Sequence, residues 1–233
     1  MFLERLASYA PDLSSRESTA LTEYYNILIQ HNAQYNLTAI RDEEGIVLKH
    51  FYDSILFHQA LDLKPGSRVI DLGTGAGFPG LVLAILNPSV DFTLVDSVGK
   101  KVRFLQEVIS ALSLDNATAL QGRAEVLGQD PLHRERYDIA IARSVAYLPT
   151  LVEYLLPLVR VGGTMTATKE APIEEELKKA TAAIALLGGS LHRSTPYALP
   201  GMDHQRVFLT LSKVRTTPKR YPRKDGTPLK NPL

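Results

Sequence analysis

The chain contains no cysteine, which removes disulfides, thiolate metal sites and cysteine nucleophiles together and fits a reducing compartment. It also lacks any long hydrophobic run. The longest apolar stretches, such as Leu81 to Leu86, fall far short of the roughly 20 residues needed to cross a bilayer. Met1-Phe2-Leu3-Glu4-Arg5 is not a basic segment leading into an apolar one. A soluble, cytoplasmic protein with no membrane partner is expected, and Asn36-Leu37-Thr38 then has no meaning as a glycosylation site. The six histidines show no metal-ligand spacing, so no metal is expected.

Net charge is also scarce, at +1, until it is divided by position. Residues 213 to 233 hold seven basic residues (Lys213, Arg215, Lys219, Arg220, Arg223, Lys224, Lys230) against one acid, Asp225, giving +6. Residues 1 to 212 carry −5. Such a tail is either a solvated terminus or a contact for an anionic partner.

What is present is a core: 233 residues at 45% hydrophobic suffice for one α/β domain but not for a nucleotide domain plus a separate substrate domain. Residues 16 to 60 read as helices, with Leu21, Tyr24, Tyr25 and Leu28, then Ile46, Phe51, Ile55 and Leu56, at three-to-four spacing. From residue 67 short β-rich runs take over: Arg68 to Leu72, Asp91 to Asp96, Ala117 to Gln121, Tyr137 to Ala142 and Thr164 to Thr168. Helical stretches alternate with them at Gly80 to Leu86, Lys100 to Leu112, Leu151 to Val159 and Ile173 to Leu187. This alternation predicts a parallel sheet covered on both faces. Ser190 to Tyr197 and Arg206 to Ser212 follow with no helix between them and should form an antiparallel hairpin at one edge, giving seven strands. The Pro- and Lys/Arg-rich stretch from Thr216 onward should lack regular structure unless bound.

The strongest local signal is Val69-Ile70-Asp71-Leu72-Gly73-Thr74-Gly75-Ala76-Gly77-Phe78-Pro79-Gly80, a buried strand entering a glycine loop and a helix opened by proline. Two cofactors compete for it. Gly75-x-Gly77-x-x-Gly80 with Asp96 downstream also satisfies the dinucleotide fingerprint of an oxidoreductase. Asp71, a carboxylate just before the first glycine, favours the ammonium of S-adenosylmethionine and would repel a pyrophosphate. Asp96, at the end of the next strand, can accept both ribose hydroxyls in either case. The edge hairpin and the absence of a hydride-transfer domain favour the methyl donor.

Methyl transfer from a sulfonium is an in-line displacement that needs alignment and the exclusion of water. Cytosine C5 transfer usually needs a cysteine adduct, and exocyclic amines are typically handled by an Asn/Asp-Pro-Pro-aromatic loop. Here the corresponding place reads Ala142-Arg143-Ser144-Val145-Ala146. Guanine N7 has a lone pair and no proton, so no general base and no catalytic residue beyond positioning groups is expected. Arg143, at the carboxyl end of the fourth strand, could hold the cofactor carboxylate, a phosphate or guanine O6. His50 and Asp53 stand one helical turn apart, and a local structural pairing is the simpler account of them.

Taken together, Asn36-Leu37-Thr38-Ala39-Ile40, His50-x-x-Asp53-Ser54, the Asp71 to Gly80 loop, Asp96-Ser97-x-x-Lys100-Lys101, Gly122-Arg123-Ala124-Glu125, Ala142-Arg143 and the tail from Tyr221 to Leu233 resemble the ribosomal small-subunit methyltransferase G family, also called glucose-inhibited division protein B. The resemblance covers nearly the whole chain. It implies a Rossmann-like class I methyltransferase fold: a seven-stranded, mostly parallel sheet with one antiparallel edge strand and an N-terminal helical layer. It further implies methylation of guanine N7 in 16S ribosomal RNA, with S-adenosylmethionine as donor and S-adenosylhomocysteine as product. By motif position Gly73 and Phe78 would line the methionine and adenosine side, Asp96 and Ser97 the ribose, Ala124 and Glu125 the adenine, and Arg143 the cofactor site, with Asp71 and Gly75 added from the loop itself. Ser144 departs from the alanine common in the family.

The expected organisation is a helical extension over 1–62, a cofactor-binding core over 63–213 and a basic tail over 214–233, in a monomer whose partner is 16S ribosomal RNA or the small subunit. Arg143, Lys219, Arg220, Arg223 and Lys224 are the RNA-binding candidates, since Lys and Arg contacts to phosphate supply affinity and register. Deleting residues 214 to 233 is expected to weaken RNA binding and spare cofactor affinity. A methyltransferase for a small molecule or a protein, and a non-catalytic RNA-binding protein on the same fold, are the rival readings.

Overall fold

The computed structural model describes residues 1–143 and 145–233, so Ser144 lies outside the described residues. Seven strands, β1 (Arg68–Leu72), β2 (Asp91–Asp96), β3 (Ala117–Gln121), β4 (Tyr137–Arg143), β5 (Val159–Glu170), β6 (Gly189–Ala198) and β7 (Gln205–Lys213), make one sheet in the order β3-β2-β1-β4-β5-β7-β6. β2 runs parallel to β3, and β1, β4 and β5 run parallel to one another. β7 is antiparallel to both β5 and β6, which leaves β6 at the edge. The expected hairpin is therefore present, with its second strand inserted beside β5. The chain packs as two compact units, Met1–Gly66 with Thr74–Gln121, and Ser67–Gly73 with Gly122–Leu233.

The first unit carries the helical layer. α1 (Phe2–Tyr9) precedes α2 (Ser15–Tyr35). A reciprocal cap starts α2: the Ser14 backbone N–H donates to Glu17 Oε2 at 2.8 Å, and the Glu17 N–H donates to Ser14 Oγ at 3.3 Å. Asn36, left-handed at φ 49°, stops it. Asp42 caps α3 (Glu43–Ile46) through the Gly45 N–H at 2.6 Å. The helix continues as a π-helical segment, Val47–Tyr52, and then as α4 (Asp53–Gln59). Because each π turn takes up one extra residue, the buried face slides, and Phe57 is buried where the spacing predicted Leu56. α5 (Gly80–Leu86) and α6 (Gly99–Ala111) complete this unit.

The second unit holds α7 (Ala124–Leu127), α8 (Leu148–Leu155), α9 (Glu174–Leu186) and α10 (Thr227–Lys230). α8 begins and ends earlier than predicted. Pro149 sits in its first turn, and the backbone from Val159 already belongs to β5, paired with Tyr137.

The tail corrects an expectation, because it is packed in the free chain. Arg134 threads three of its carbonyls, donating to Thr217 at 2.7 Å, Tyr221 at 2.6 Å and Pro218 at 3.3 Å while also holding Gly128 at 2.6 Å. Gln129 Nε2 donates to the Lys219 and Pro222 carbonyls at 3.1 and 2.8 Å. Thr217 and Tyr221 are buried, and α10 closes the segment. Proline-rich backbone has few donors of its own, so its carbonyls are satisfied by side chains from far away in sequence.

The segment is entered over Lys213, which is 1% exposed. Its Nζ donates to the Leu156 carbonyl at 2.5 Å and to Thr217 Oγ1 at 2.8 Å, and it faces Glu135 at 3.1 Å. Burial pulls the ammonium down from 10.5 to about 8, against a partial upward pull from Glu135. The unfolded chain therefore binds more protons between pH 8 and 10.5, and this group's contribution to stability rises with pH across that window. Below pH 8 both states are charged, and the cost of the buried ammonium is fully present. In thermal unfolding, the wild type should gain on Lys213→Met as pH rises from 8 towards 10. A constant difference between the two would show that Lys213 does not titrate in the folded state.

Candidate cofactor site

In the first unit the glycine loop turns over the end of β2. The Gly75 N–H donates to Asp96 Oδ2 at 3.1 Å, the Val98 N–H donates to Oδ1 at 2.9 Å, and Lys101 Nζ stands 3.4 Å from Oδ2. Asp96 is 5% exposed. Three donors on a carboxylate with about four lone-pair sites leave acceptor capacity for a hydroxyl donor from a ligand. Ser97 beside it is exposed, and its carbonyl accepts from Gln121 Nε2 at 3.2 Å.

The loop is held from below by the helical layer. Tyr24 Oη donates to the Ala76 carbonyl at 2.5 Å. Gly77 has φ +100°, and a Cβ there would collide with Leu81 Cδ1 and lie 2.7 Å from Tyr24 Oη. The Phe78 ring is 4% exposed, stacked on His50 at 4.6 Å and on Tyr24 at 5.2 Å, with Phe51 edge-on at 5.1 Å. Phe78 therefore anchors the loop and turns its ring into this cluster, so the lining implied by its motif position falls to the backbone it carries. His50 Nε2 lies 2.7 Å from Thr38 Oγ1, and the Thr38 N–H donates to Asn32 Oδ1 at 2.9 Å. The motif residues near 38 and 50 thus brace the loop from behind. Thr74 Oγ1 is buried in the loop with no hydrogen-bond partner among the described residues, an open position for a ligand polar atom.

In the second unit Asp71 is fully buried at the end of β1, and Gly73 is exposed just beyond it, 2.7 Å from Val145 Cγ2 measured from where a Cβ would sit. Arg143 ends β4 and is half-buried. Ala124 and Glu125 open α7, both buried. The Glu125 Oε1 accepts the Gly226 N–H at 3.0 Å, and the Tyr154 phenol faces the same carboxylate. Burial, followed by the charge of Glu125, pushes the Tyr154 phenol up to about 12, so it remains a donor.

A cleft of about 490 Å³ at the carboxyl ends of β4 and β5 went unnoticed in the sequence. Tyr147, Lys169, Glu170 and Arg206 line it. Glu176 Oε1 accepts the Leu148 N–H at 2.6 Å and pairs with Lys169 Nζ at 2.5 Å, which fixes the start of α8 beside the cleft. Nothing in the local sequence marks these residues, because the start of α8, β5, α9 and β7 each supply some of them.

The family model for rRNA small subunit methyltransferase G matches residues 17–199. The ribosomal RNA small subunit methyltransferase G of Exiguobacterium sibiricum is 42% identical over 232 residues, covering 100% of this chain and 98% of that protein. Its counterpart in Roseiflexus castenholzii is 46% identical over 226 residues, 97% of this chain and 96% of that one. This chain belongs to the rRNA small subunit methyltransferase G family. Among solved structures, a SAM-dependent methyltransferase from Aquifex aeolicus superposes with a TM-score of 0.56 at 16% identity, covering 76% of this chain and 96% of that one. The [4+2]-cyclase SpnF superposes at 0.60 with 13% identity, covering 86% and 97%. Both agree in fold alone. Among the described residues no helix is long and apolar enough to cross a membrane, and no group of three or more His, Asp or Glu could hold a metal ion.

For this member of the methyltransferase G family the basic tail divides in two. Arg223 is bound inward: Nη2 and Nε donate to Glu153 at 2.6 and 2.9 Å, and Glu153 is fully buried. That hydrogen-bonded pairing raises the Arg223 pKa further. Lys219, Arg220 and Lys224 are exposed, with the Arg220 guanidinium 5.0 Å from the Tyr221 ring centre. Deleting the tail would strip Glu153 of its counter-ion and Glu125 of a donor, so it is not a clean test of RNA contact.

Two outcomes follow for single substitutions. Arg223→Ala should destabilise the fold by about 3–5 kcal/mol because it leaves a buried carboxylate unpaired, whereas Lys224→Ala should change stability by less than about 0.5 kcal/mol. Equal unfolding midpoints for the two in denaturant would refute this division. Gly77→Ala should cost at least about 1–2 kcal/mol from its left-handed backbone alone and weaken S-adenosylmethionine binding in calorimetry. Wild-type affinity in that variant would mean that the loop shape does not matter for the cofactor.

Proposed function

We propose that this chain transfers the methyl group of S-adenosylmethionine to N7 of a guanine in 16S ribosomal RNA, acting as a cytoplasmic monomer where the small subunit is assembled. The observation that carries the cofactor assignment is the Asp96 carboxylate, fixed by the Gly75 and Val98 N–H groups under a glycine loop with an open Thr74 hydroxyl. Gly75, Phe78, Asp96 and Ser97 contribute from the first unit, and Asp71, Gly73, Ala124, Glu125 and Arg143 from the second. In this reading 1–62 is the supporting helical layer, 63–213 the core and 214–233 the RNA-facing tail.

The bound cofactor supplies an electrophilic methyl on a sulfonium, and its departure leaves a thioether. Guanine N7 attacks with a lone pair and loses no proton, so the chain need supply no general base. Its task is alignment and the exclusion of water. The cleft at the carboxyl ends of β4 and β5 suits a guanine: Lys169 and Arg206 can donate towards O6, and Tyr147, 45% exposed, offers a stacking face.

Purified protein, tritiated S-adenosylmethionine and either undermethylated small subunits or RNA stripped from them should yield label on guanine N7, mapped by nuclease digestion. Label on no RNA would move the assignment to a small-molecule or protein substrate. Replacing Lys219, Arg220 and Lys224 together with glutamine should weaken RNA binding and lower its log–log salt slope by roughly 0.7–0.9 per lost phosphate contact. An unchanged slope would remove the tail from the RNA interface.

A further inference from the structure

Glu125 stands in the first turn of a four-residue helix, α7, which by itself fixes a side chain poorly. From elsewhere in the second unit the Gly226 backbone N–H holds it at 3.0 Å, and the Tyr154 phenol on α8 faces it. Gly226 is itself fixed. Asp225 beside it pairs with Arg123 at 2.9 Å, and Thr150 Oγ1 donates to the Pro228 carbonyl at 3.0 Å within α10. The Gly226 N–H and the Tyr154 phenol are both neutral, and neither fills the acceptor capacity of a carboxylate. A glutamate held in this way loses little further rotamer freedom when a ligand arrives.

We propose that Gly226 and Tyr154 are positioning residues for the cofactor's adenine. They fix the Glu125 carboxylate so that its remaining acceptor sites meet the adenine amino group, which makes the C-terminal segment a part of cofactor recognition as well as a carrier of charge for RNA. This rests on the reading that Glu125 contacts adenine. A side chain swinging freely would accept the same hydrogen bond less well, because it would first have to be ordered. The segment that meets RNA would then also set how well the methyl donor is held.

The test compares S-adenosylhomocysteine with its counterpart in which purine replaces adenine, titrated calorimetrically into the full chain, Tyr154→Phe and Gly226→Ala. Tyr154→Phe removes only the hydroxyl. Gly226→Ala adds a Cβ into open space at φ +74°, so the strain falls on the turn and draws the N–H away. The wild type should prefer adenine by about tenfold, the value of one hydrogen bond to a charged acceptor. Both variants should reduce that preference to about threefold or less while binding the purine ligand within about twofold of wild type. A merely structural role would weaken both ligands alike and leave the ratio unchanged, and that result overturns the proposal. If the wild type itself shows no preference, the assignment of Glu125 to adenine falls first. If the wild type discriminates and both variants retain the full ratio, only the positioning role falls.

Discussion

The hydrogen bond from the Gly75 N–H to the Asp96 carboxylate ties the glycine loop to the end of β2, and much of the first unit is arranged so that it can form. A loop that presents backbone to a ligand has few side chains with which to hold itself in place. Here the hold comes from beneath: Tyr24 Oη takes the Ala76 carbonyl, and Phe78 is clamped between the rings of Tyr24, His50 and Phe51. The helical layer is thus part of the cofactor loop's structure. Its long helix carries Tyr24 and Asn32, and its π-helical turns carry His50 and Phe51. A π segment of this kind turns side chains out of α-helical register, and such segments are common at functional sites.

The second unit solves a different problem with charge. A segment rich in proline and cations has neither the backbone donors nor the apolar content to fold alone. One of its cations, Arg223, is spent on a fully buried Glu153, while Arg134 and Gln129 supply the donors that its carbonyls lack. A buried ion pair adds little net stability compared with an apolar pair, but breaking it is costly. It therefore specifies one placement of the segment and penalises others. With that placement set, Lys219, Arg220 and Lys224 remain outward on an ordered scaffold, and cations held in this way would lose less entropy on meeting an anionic partner.

What could be read from the sequence was what local pattern determines. The bounds of β1, β2, β3 and α5 coincide with the expected runs, because each is a short segment bordered by glycine, proline or asparagine turns. Asp96 and the glycine loop were legible for the same reason. α1, α7 and α10 were missed, since helices of eight and four residues have no stable periodicity and exist only through tertiary contacts. The order of the tail was invisible because its partners, Arg134, Gln129 and Glu153, lie 70 to 93 residues away. The inward turn of Phe78 could not be seen either, because the rings that capture it come from two separate helical segments.

A fold shared with a [4+2]-cyclase cannot by itself say what reaction occurs, so the chemistry must be argued from the groups at the site. An acceptor without a proton would remove the requirement for a base and leave the chain the task of positioning; contacts of that kind are the backbone N–H groups on Asp96 in the first unit and, in the second, the Gly226 N–H on Glu125 and the carboxylate that orders the start of α8. Rate in such a site is set by how well the reacting atoms are aligned before reaction, and a misplacement of about 1 Å far from the chemistry can cost on the order of a hundredfold. The residues that matter most for turnover then extend beyond those in contact with the reacting atoms to those that hold the loop and the C-terminal segment still.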